Sequence, residues 1–178
     1  NGTLTQYYKS GLYYFLNSLG VHEADGLKKG VPEALWSAPR EAVLGFLAAL
    51  FTADGTVNIS RRVHYGSIRL ANSSKKLLQE TQLLLLNEGI VSQLYLRRKA
   101  GKKLMPDSAR NPKLYSFSDQ YELVITRQNR ARFLKEIGFL TPAKQNKAAA
   151  FENTLTRGAY QESFTTRVKS IRPAGRTD

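Results

Sequence analysis

One helical segment in the first third of the chain constrains the fold more than any other feature. Its large apolar side chains recur at steps of three and four residues, which is the spacing of one face of an α-helix. They are Leu44, Leu47, Leu50 and Phe51. The pattern predicts a helix from Arg40 to Ala53, which Asp54-Gly55 ends.

A second stripe of this helix consists of small residues. Gly45, Ala49 and Ala53 lie four residues apart, with Thr52 beside them. Small side chains let another backbone approach closely, a packing mode best known from membrane helices but steric in origin. These four residues are therefore the predicted interface with a second helix.

Alternating apolar and polar residues predict four strands after this helix. They run through Val57 and Ile59, through Ile68 and Leu70, through Leu94 and Leu96, and through Tyr121, Leu123 and Ile125. Further helices are predicted at 75–88, 127–137 and 144–155. The polar, basic stretch from Ala100 to Phe117 is predicted to be a loop. The resulting order of helix, two strands, helix, two strands and helix occurs once.

The flanking segments are shorter and less regular. A short amphipathic helix is predicted from Ser10 to Leu19, followed by a connector from His22 to Ala38 and by an N-cap at Asn72-Ser73 for the helix at 75–88. Near the other end, the alternation of Val168, Ser170 and Arg172 predicts a strand within the last segment.

The charge balance predicts a polyanionic partner. Lys and Arg number 27 against 14 Asp and Glu, which gives a net charge of +13. Such an excess attracts DNA, RNA or an anionic membrane without distinguishing among them. There are no cysteines and only two histidines, so a thiolate zinc site and a histidine-rich metal site are excluded. The sequence shows neither a bilayer span nor a signal peptide, so we expect a soluble intracellular protein of the cytoplasm or nucleoid with no membrane partner.

Asp54 stands where a helix favours cations. A carboxylate at a helix C-terminus faces the negative end of the helix dipole, at a cost of about 0.3–1 kcal/mol. The last backbone carbonyls also have no partner within the helix. A carboxylate together with carbonyl oxygens suits a hard divalent cation. Two such helix ends placed side by side would bring two carboxylates together around such ions.

The segment Leu47 to Gly55, LAALFTADG, is similar to the signature motif of the LAGLIDADG homing endonucleases. The matching positions are Leu47, Ala48, Leu50, Ala53, Asp54 and Gly55, while Ala49 replaces the motif's glycine and Thr52 its first aspartate. The resemblance extends over roughly residues 40–150. It implies an α+β fold, an αββαββα unit with a curved antiparallel sheet that binds DNA, and sequence-specific, metal-dependent cleavage of double-stranded DNA.

The resemblance also implies roles for individual residues. Asp54 takes the place of the catalytic, metal-binding acid, and the carbonyl of Ala53 that of a neighbouring metal ligand. The stretch FLTPAKQNK, from Phe139 to Lys147, resembles the segment with the family's active-site lysine, which puts Lys144 in that role and leaves Lys147 as the alternative. The implied cofactor is Mg²⁺ or another divalent cation.

The polar face of the predicted sheet would contact the DNA. If the apolar residues of the strands face the helices, the polar ones face the major groove; they are Asn58, Ser60, Ser67, Arg69, Gln93, Tyr95 and Arg97. Basic residues on turns and loops would contact phosphates; they are Arg61, Arg62, Arg98, Lys99, Lys102, Lys103, Arg110 and Lys113.

The family's active site uses two motif helices, and this chain has one. The partner is either a second copy of the chain, as a homodimer, or a missing N-terminal half. The connector resembles the joint before the second motif of intein endonucleases, and the tail resembles the start of an intein C-terminal splicing segment. The resemblance therefore divides the chain into the end of a preceding repeat with a connector (1–39), the endonuclease repeat (40–155), and a linker with the first splicing strand (156–178).

Three other functions remain open at this point. The first two are a LAGLIDADG-like transcription regulator and an intron maturase, which bind DNA or RNA without cleaving DNA. The third is an intein insert that is folded but enzymatically inactive. The retained Asp54 argues against a degenerate regulator, and the intein-like tail argues against a maturase.

Overall fold

The computed structural model describes residues 11–21, 26–60, 65–108, 110–153 and 167–172. The helices are α1 (Gly11–Ser18), α2 (Arg40–Asp54), α3 (Lys75–Asn87), α4 (Arg127–Glu136) and α5 (Pro142–Asn153), and a single 3-10 turn lies at Glu33–Trp36. The strands are β1 (Gly55–Ser60), β2 (Tyr65–Asn72), β3 (Gln93–Arg98), β4 (Gly101–Pro106), β5 (Pro112–Phe117) and β6 (Gln120–Thr126).

Four of the strands form one antiparallel sheet in the order β1-β2-β6-β3. Val57 pairs with Ile68 and Ile68 with Ile125, so buried apolar residues lie side by side across the sheet. Successive side chains of a strand point to opposite faces. One face therefore carries the apolar residues towards the helices, and the other carries mainly polar ones.

The core lies between this apolar face and the helices. Leu47 and Phe51 of α2 and Phe133 of α4 are completely buried. The ring centroids of Phe51 and Phe133 are 4.8 Å apart, and that of Phe139 lies 5.5 Å from Phe133. Aromatic contacts at these distances add to the stability that burial provides. They fix the end of α2 against the segment that leads into α5.

The predicted α+β class is confirmed. The predicted helices and the four predicted strands occur in the predicted order with small changes at their ends, but two further strands, β4 and β5, lie between β3 and β6. Helix α2 is one residue longer than predicted and includes Asp54. The N-cap of α3 is Ser74, whose hydroxyl accepts the Leu77 amide at 3.2 Å. The prediction of Asn72-Ser73 was therefore wrong by one residue; the Asn72 side chain instead accepts the Ser74 amide at 2.8 Å.

The prediction of a loop from Ala100 to Phe117 was wrong. This stretch is the antiparallel hairpin of β4 and β5, in which Leu104 pairs with Leu114. At its tip the Asp107 carboxylate accepts the Asn111 amide at 2.9 Å, which stabilises the turn. The hairpin extends outwards from the paired β3 and β6, since Arg98 pairs with Gln120 and Gly101 with Phe117.

Some predictions fall outside the described residues. These concern Arg61 and Arg62, the connector at 22–25, the end of the helix predicted at 144–155, and most of the tail. Within the described piece of the tail, 167–172, the backbone forms no strand, so the strand predicted through Val168, Ser170 and Arg172 is not present there. In isolation from a sheet, such a short segment has no neighbour to complete its hydrogen bonds.

Candidate active site and nucleic-acid interface

Helix α2 ends at the surface with no loop before the next strand. The amide of Gly55 donates to the carbonyl of Phe51 as the C-cap, and β1 begins at the same residue. A Cβ atom on Gly55 would run into that carbonyl, so the close approach requires glycine. The turn leaves Ala53 and Asp54 exposed at the helix end.

The structure brings Lys144 to the same helix end. Its ammonium donates to the carbonyl of Thr52 at 2.5 Å and to that of Gly55 at 2.6 Å. A cation is stabilised there because the C-terminal carbonyls carry the negative end of the helix dipole. Lys147, the alternative to Lys144, is exposed on α5, the helix that carries both lysines.

A second contact fixes the segment that carries Lys144. The amide of Leu140 donates to the Thr52 hydroxyl at 2.8 Å. Thr52 stands where the motif has its first aspartate, and here it supplies both a hydroxyl to Leu140 and a carbonyl to Lys144. Thr52 therefore joins the end of α2 to the start of α5.

Asp54 lines two adjoining cavities of about 540 and 750 Å³. Lys29 and Asn72 line both cavities with it, and Lys76 lines the larger one. The backbone of Lys29 is held because its carbonyl accepts the Ser74 hydroxyl at 2.5 Å. Sequence reasoning did not assign these three residues to the site. For Asn72 a signal was available, because the ends of β2 and α2 meet when β1 and β2 pair.

The donors at this helix end suit Mg²⁺ in kind but not in number. The Asp54 carboxylate and backbone carbonyls are hard oxygen donors, which this cation prefers. Among the described residues, no three side chains of His, Cys, Asp or Glu cluster at one point, whereas Mg²⁺ is commonly bound by one or two carboxylates. A second carboxylate would have to come from another helix end.

The small-residue face of α2 is open to such a helix. Gly45, Ala49 and Ala53 are exposed, and a Cβ added at Gly45 would have no atom within 4 Å. Thr52 is half-buried, because of its contact with the α5 segment. In the portion of the chain that the structure describes, nothing packs on Gly45.

The polar face of the sheet holds several of the residues predicted to contact DNA. Asn58, Gln93, Tyr95 and Arg97 are exposed, and the Tyr95 hydroxyl donates to the Gln93 side chain. Ser67 is 0% exposed and accepts Nε of Arg69 at 2.8 Å. Ser67 therefore lies beneath the Arg69 side chain and holds it by this hydrogen bond, and it does not itself reach the surface.

The predicted basic residues between positions 98 and 113 lie along the β4–β5 hairpin and its base. Arg98, Lys99 and Lys113 are exposed. The Arg98 guanidinium lies 4.2 Å from the centroid of the Phe117 ring, and the Lys113 ammonium lies 5.7 Å from that of Tyr115. Aromatic rings hold cations through such contacts without neutralising them. The side chain of Ser60 lies outside the described part of the structure, as do Arg61 and Arg62.

Two positions on the sheet differ from the sequence-based expectation. Leu96, expected to face the helices, is 50% exposed because it lies next to a register shift in β3. Glu122 is not among the predicted DNA contacts, yet it is only 8% exposed and lies between two of them. Its carboxylate lies 2.9 Å from Nη1 of Arg69 and 3.6 Å from Nη1 of Arg97.

Within the described ranges, no helix has the length and apolar character needed to cross a bilayer.

Comparisons with known proteins give one family match and several relatives that match over part of their length. The chain matches the family described as "LAGLIDADG-like domain" over residues 41–138, which is more than half of its length. It is 30% identical over 118 residues to the alpha chain of ribonucleoside-diphosphate reductase NrdEB from Bacillus subtilis (strain 168), a match that covers 66% of this chain and 11% of that protein.

Two further relatives have unrelated names. A DNA polymerase of Thermococcus sp. (strain GE8) is 30% identical over 138 residues, which cover 76% of this chain and 7% of the polymerase. A DNA gyrase chain of Mycobacterium gordonae is 30% identical over 147 residues, which cover 74% of this chain and 23% of that protein. The chain therefore spans less than a quarter of each of these relatives.

Proposed function

This chain belongs to the LAGLIDADG-like domain family, and we propose that it is the DNA-cleaving module of an intein, a sequence-specific endonuclease that hydrolyses double-stranded DNA. The observation that carries this proposal is that the end of α2 holds both the exposed Asp54 and the Lys144 ammonium, which donates to the carbonyls of Thr52 and Gly55. A carboxylate that lines an open cavity and an ammonium at the same helix end are groups that phosphodiester hydrolysis uses.

Different residues of the chain would bind the metal ion, stabilise charge on the phosphate and bind the phosphate or a water molecule. The Asp54 carboxylate and the Ala53 carbonyl would hold Mg²⁺ or another divalent cation, which when bound supplies Lewis-acid stabilisation of the phosphodiester. The Lys144 ammonium stabilises negative charge that develops on the phosphate. Lys29 and Asn72, which line the same cavities, add a positive charge and a hydrogen-bond donor for the phosphate or a water molecule.

A second motif helix completes the site in this proposal. The exposed stripe of Gly45, Ala49 and Ala53 is shaped for close helix packing. A partner helix on this stripe would bring its own terminal aspartate beside Asp54. The partner is either a second copy of this chain or an N-terminal half with its own motif.

The sheet and the hairpin supply the DNA-binding surface. Exposed side chains with both donors and acceptors, among them Asn58, Gln93 and Arg97, suit base edges in the major groove. The exposed lysines of the hairpin suit phosphates. The net charge of the whole chain, +13, adds a long-range attraction to DNA.

The pattern of relatives supports the assignment to an intein. A ribonucleoside-diphosphate reductase, a DNA polymerase and a DNA gyrase share this segment, and it covers 11%, 7% and 23% of them. A short segment found within proteins of unrelated names is what an inserted element produces. The residues at 156–178 would then join this module to a C-terminal splicing segment.

The test is cleavage of a randomised duplex DNA library by the full chain and by Asp54→Asn. Each protein is incubated with the library in Mg²⁺ and in EDTA, new DNA ends are sequenced, and binding is followed in parallel by mobility shift. We expect the parent alone to cut, in Mg²⁺ alone, at a recurring sequence. Binding without cutting by dimers of both proteins would instead favour a non-cleaving regulator or maturase. Binding without cutting by monomers would favour an N-terminal half as the partner, and no binding by either protein would refute the proposal.

A further inference from the structure

We propose that Glu122 is a specificity-determining residue of the polar sheet face, which holds Arg69 and Arg97 in position to read base edges. This inference rests on the proposed DNA-binding function. It goes beyond that function because it assigns to an acidic residue a role in recognising a polyanion.

Glu122 is placed between the two arginines by the strand order. It lies on β6, which pairs with β2 on one side and β3 on the other. Arg69 on β2 pairs with Val124, two residues from Glu122, and its Nη1 lies 2.9 Å from Oε2 of Glu122. Arg97 lies at the register shift of β3, and its Nη1 lies 3.6 Å from Oε1. Each carboxylate oxygen therefore serves a different arginine.

The register shift at Arg97 makes this arrangement possible. An extra residue in a strand re-aims the side chain at that point. The side chain of Glu122 is 11% exposed, whereas those of Arg69 and Arg97 are 31% and 54% exposed. The acid is thus at the bottom of the group, and the two cations are its outer part.

The contacts leave Arg69 oriented but still able to bind. Its Nε donates to Ser67 at 2.8 Å and its Nη1 to Glu122 at 2.9 Å, so the guanidinium is fixed at two points. Neither contact uses Nη2, which can donate to a ligand above the sheet. A fixed guanidinium loses little side-chain entropy when it forms a paired contact with guanine O6 and N7.

The net charge of Glu122 and the two arginines also favours selective binding. An unpaired carboxylate on this face would repel phosphates, whereas Glu122 with two arginines forms a group with a net charge of +1. Two free arginines would bind any phosphate within reach, and such contacts carry no sequence information. Stability gives little reason for the arrangement, since apolar replacement of a largely buried ion pair is often neutral or stabilising. Glu122 therefore lowers indiscriminate binding and favours selective binding.

The test compares Glu122→Gln with Glu88→Gln in the full chain. Both variants lose one negative charge, but Glu88 pairs with Arg40 at the end of α3, in the helix layer. Fluorescence anisotropy measures the affinity for random-sequence duplex DNA over a range of salt concentrations. Selection from a randomised duplex library gives the preferred sequence of each protein.

We expect Glu122→Gln to steepen the dependence of log K on log salt by about 1 to 2, because released arginines each add a phosphate contact worth about 0.9 in slope. Discrimination should fall by about fivefold to a hundredfold for each guanine that is no longer recognised. Glu88→Gln should preserve the selected sequence. Equal slopes and equal selected sequences for the two variants would overturn the inference.

Two further results keep the outcome interpretable. Arg97→Gln should remove the preference at one cluster of bases, even if Glu122→Gln does not fold. An Arg97→Gln variant that keeps the parent's selected sequence would also overturn the inference. Failure of the parent chain to bind any duplex DNA would instead refute the proposed function on which the inference depends.

Discussion

The side-chain ammonium of Lys144 lies 2.5 Å from the backbone carbonyl of Thr52, a residue 92 positions earlier in the chain. The same ammonium lies 2.6 Å from the carbonyl of Gly55. Lys144 therefore caps the C-terminal end of α2, and the proposed function gives it a second role at the phosphate. The two roles have different experimental signatures, because a cap affects folding and a charge beside the phosphate affects reaction rate.

Replacing Lys144 with Met should separate these two roles. Loss of the cap should lower the free energy of unfolding by about 0.5–2 kcal/mol. Under the proposed function the cleavage rate should fall further, by about 10²- to 10⁴-fold. Urea denaturation measures the first quantity, and single-turnover cleavage of a selected site measures the second.

Lys147→Met is the control variant for Lys144→Met. Lys147 is exposed on the same helix. If Lys144 supplies the charge at the phosphate, Lys147→Met should change stability by less than about 0.5 kcal/mol and should retain cleavage. The opposite pattern, with cleavage lost only in Lys147→Met, would show that the lysine was assigned to the wrong position.

Gly55→Ala should destabilise the protein. The φ angle of Gly55 is −78°, which any residue adopts, but its added Cβ would collide with the Phe51 carbonyl. Displacing this backbone should cost about 1–3 kcal/mol. The midpoint of urea unfolding, at an unchanged m-value, is the measurement.

Gly45→Ala provides the matched glycine in the same helix. Here a Cβ would meet nothing within 4 Å. Alanine should stabilise the helix by up to about 1 kcal/mol, since glycine is the poorer helix former. Equal destabilisation by both substitutions would contradict the contrast between a crowded and an open position.

Ala49→Glu should disrupt pairing of α2 with a second helix and leave the fold of the chain intact. Ala49 is exposed on the small-residue face, so a longer side chain there has space in a single chain but not against another backbone. Unfolding free energy should change by less than about 0.5 kcal/mol. Sedimentation velocity should show a smaller self-associated fraction, and Mg²⁺-dependent cleavage should fall with it.

Gln79→Glu on α3 is the control for Ala49→Glu. Gln79 is also exposed on a helix, and the substitution adds the same charge. It should affect neither self-association nor cleavage. Parent and Ala49→Glu chains that are both monomeric under all conditions would instead favour a missing N-terminal half as the partner.

Lys103→Gln should weaken DNA binding almost equally for all sequences. Lys103 is exposed on β4, opposite Tyr115 of β5. Loss of one phosphate contact should lower the salt slope by about 0.9 and leave the selected sequence unchanged. Lys135→Gln, at an 83% exposed side chain on α4, removes the same charge from the helix layer and should leave the slope unchanged.

The helices and the four-stranded sheet could be predicted because each carries its periodicity in its own residues. The spacing of Leu47 and Phe51 predicts the buried side of α2, and the alternation around Ile68 and Ile125 predicts strands. The structure agrees in both cases: all four residues are completely buried. The resemblance, not periodicity, pointed to Lys144, and the tertiary contact with Thr52 is what the structure adds.

The features that were missed depend on neighbours far away in the chain. The hairpin has polar residues on both strands and one proline on each, Pro106 and Pro112. Its residues lack a clear alternation of apolar and polar side chains. Ser67 reads as a surface residue by alternation, but Arg69 and the adjoining strands cover it. The cavities beside Asp54 bring in Lys29 from the connector, which no spacing rule relates to the motif.

Strand β6 lies between β2 and β3, although it follows both in the chain. Until it is synthesised, both strands present unpaired amides and carbonyls along the edges that later face it. Contacts such as that of Arg69 with Glu122 span 53 positions, and closure of so large a loop is slow. At a translation rate of about 5–20 residues per second, synthesis of the 53 positions from Arg69 to Glu122 takes about 3–11 seconds, and β2 has no partner on that edge until then. During this interval the open edges of β2 and β3 can pair with strands of other chains.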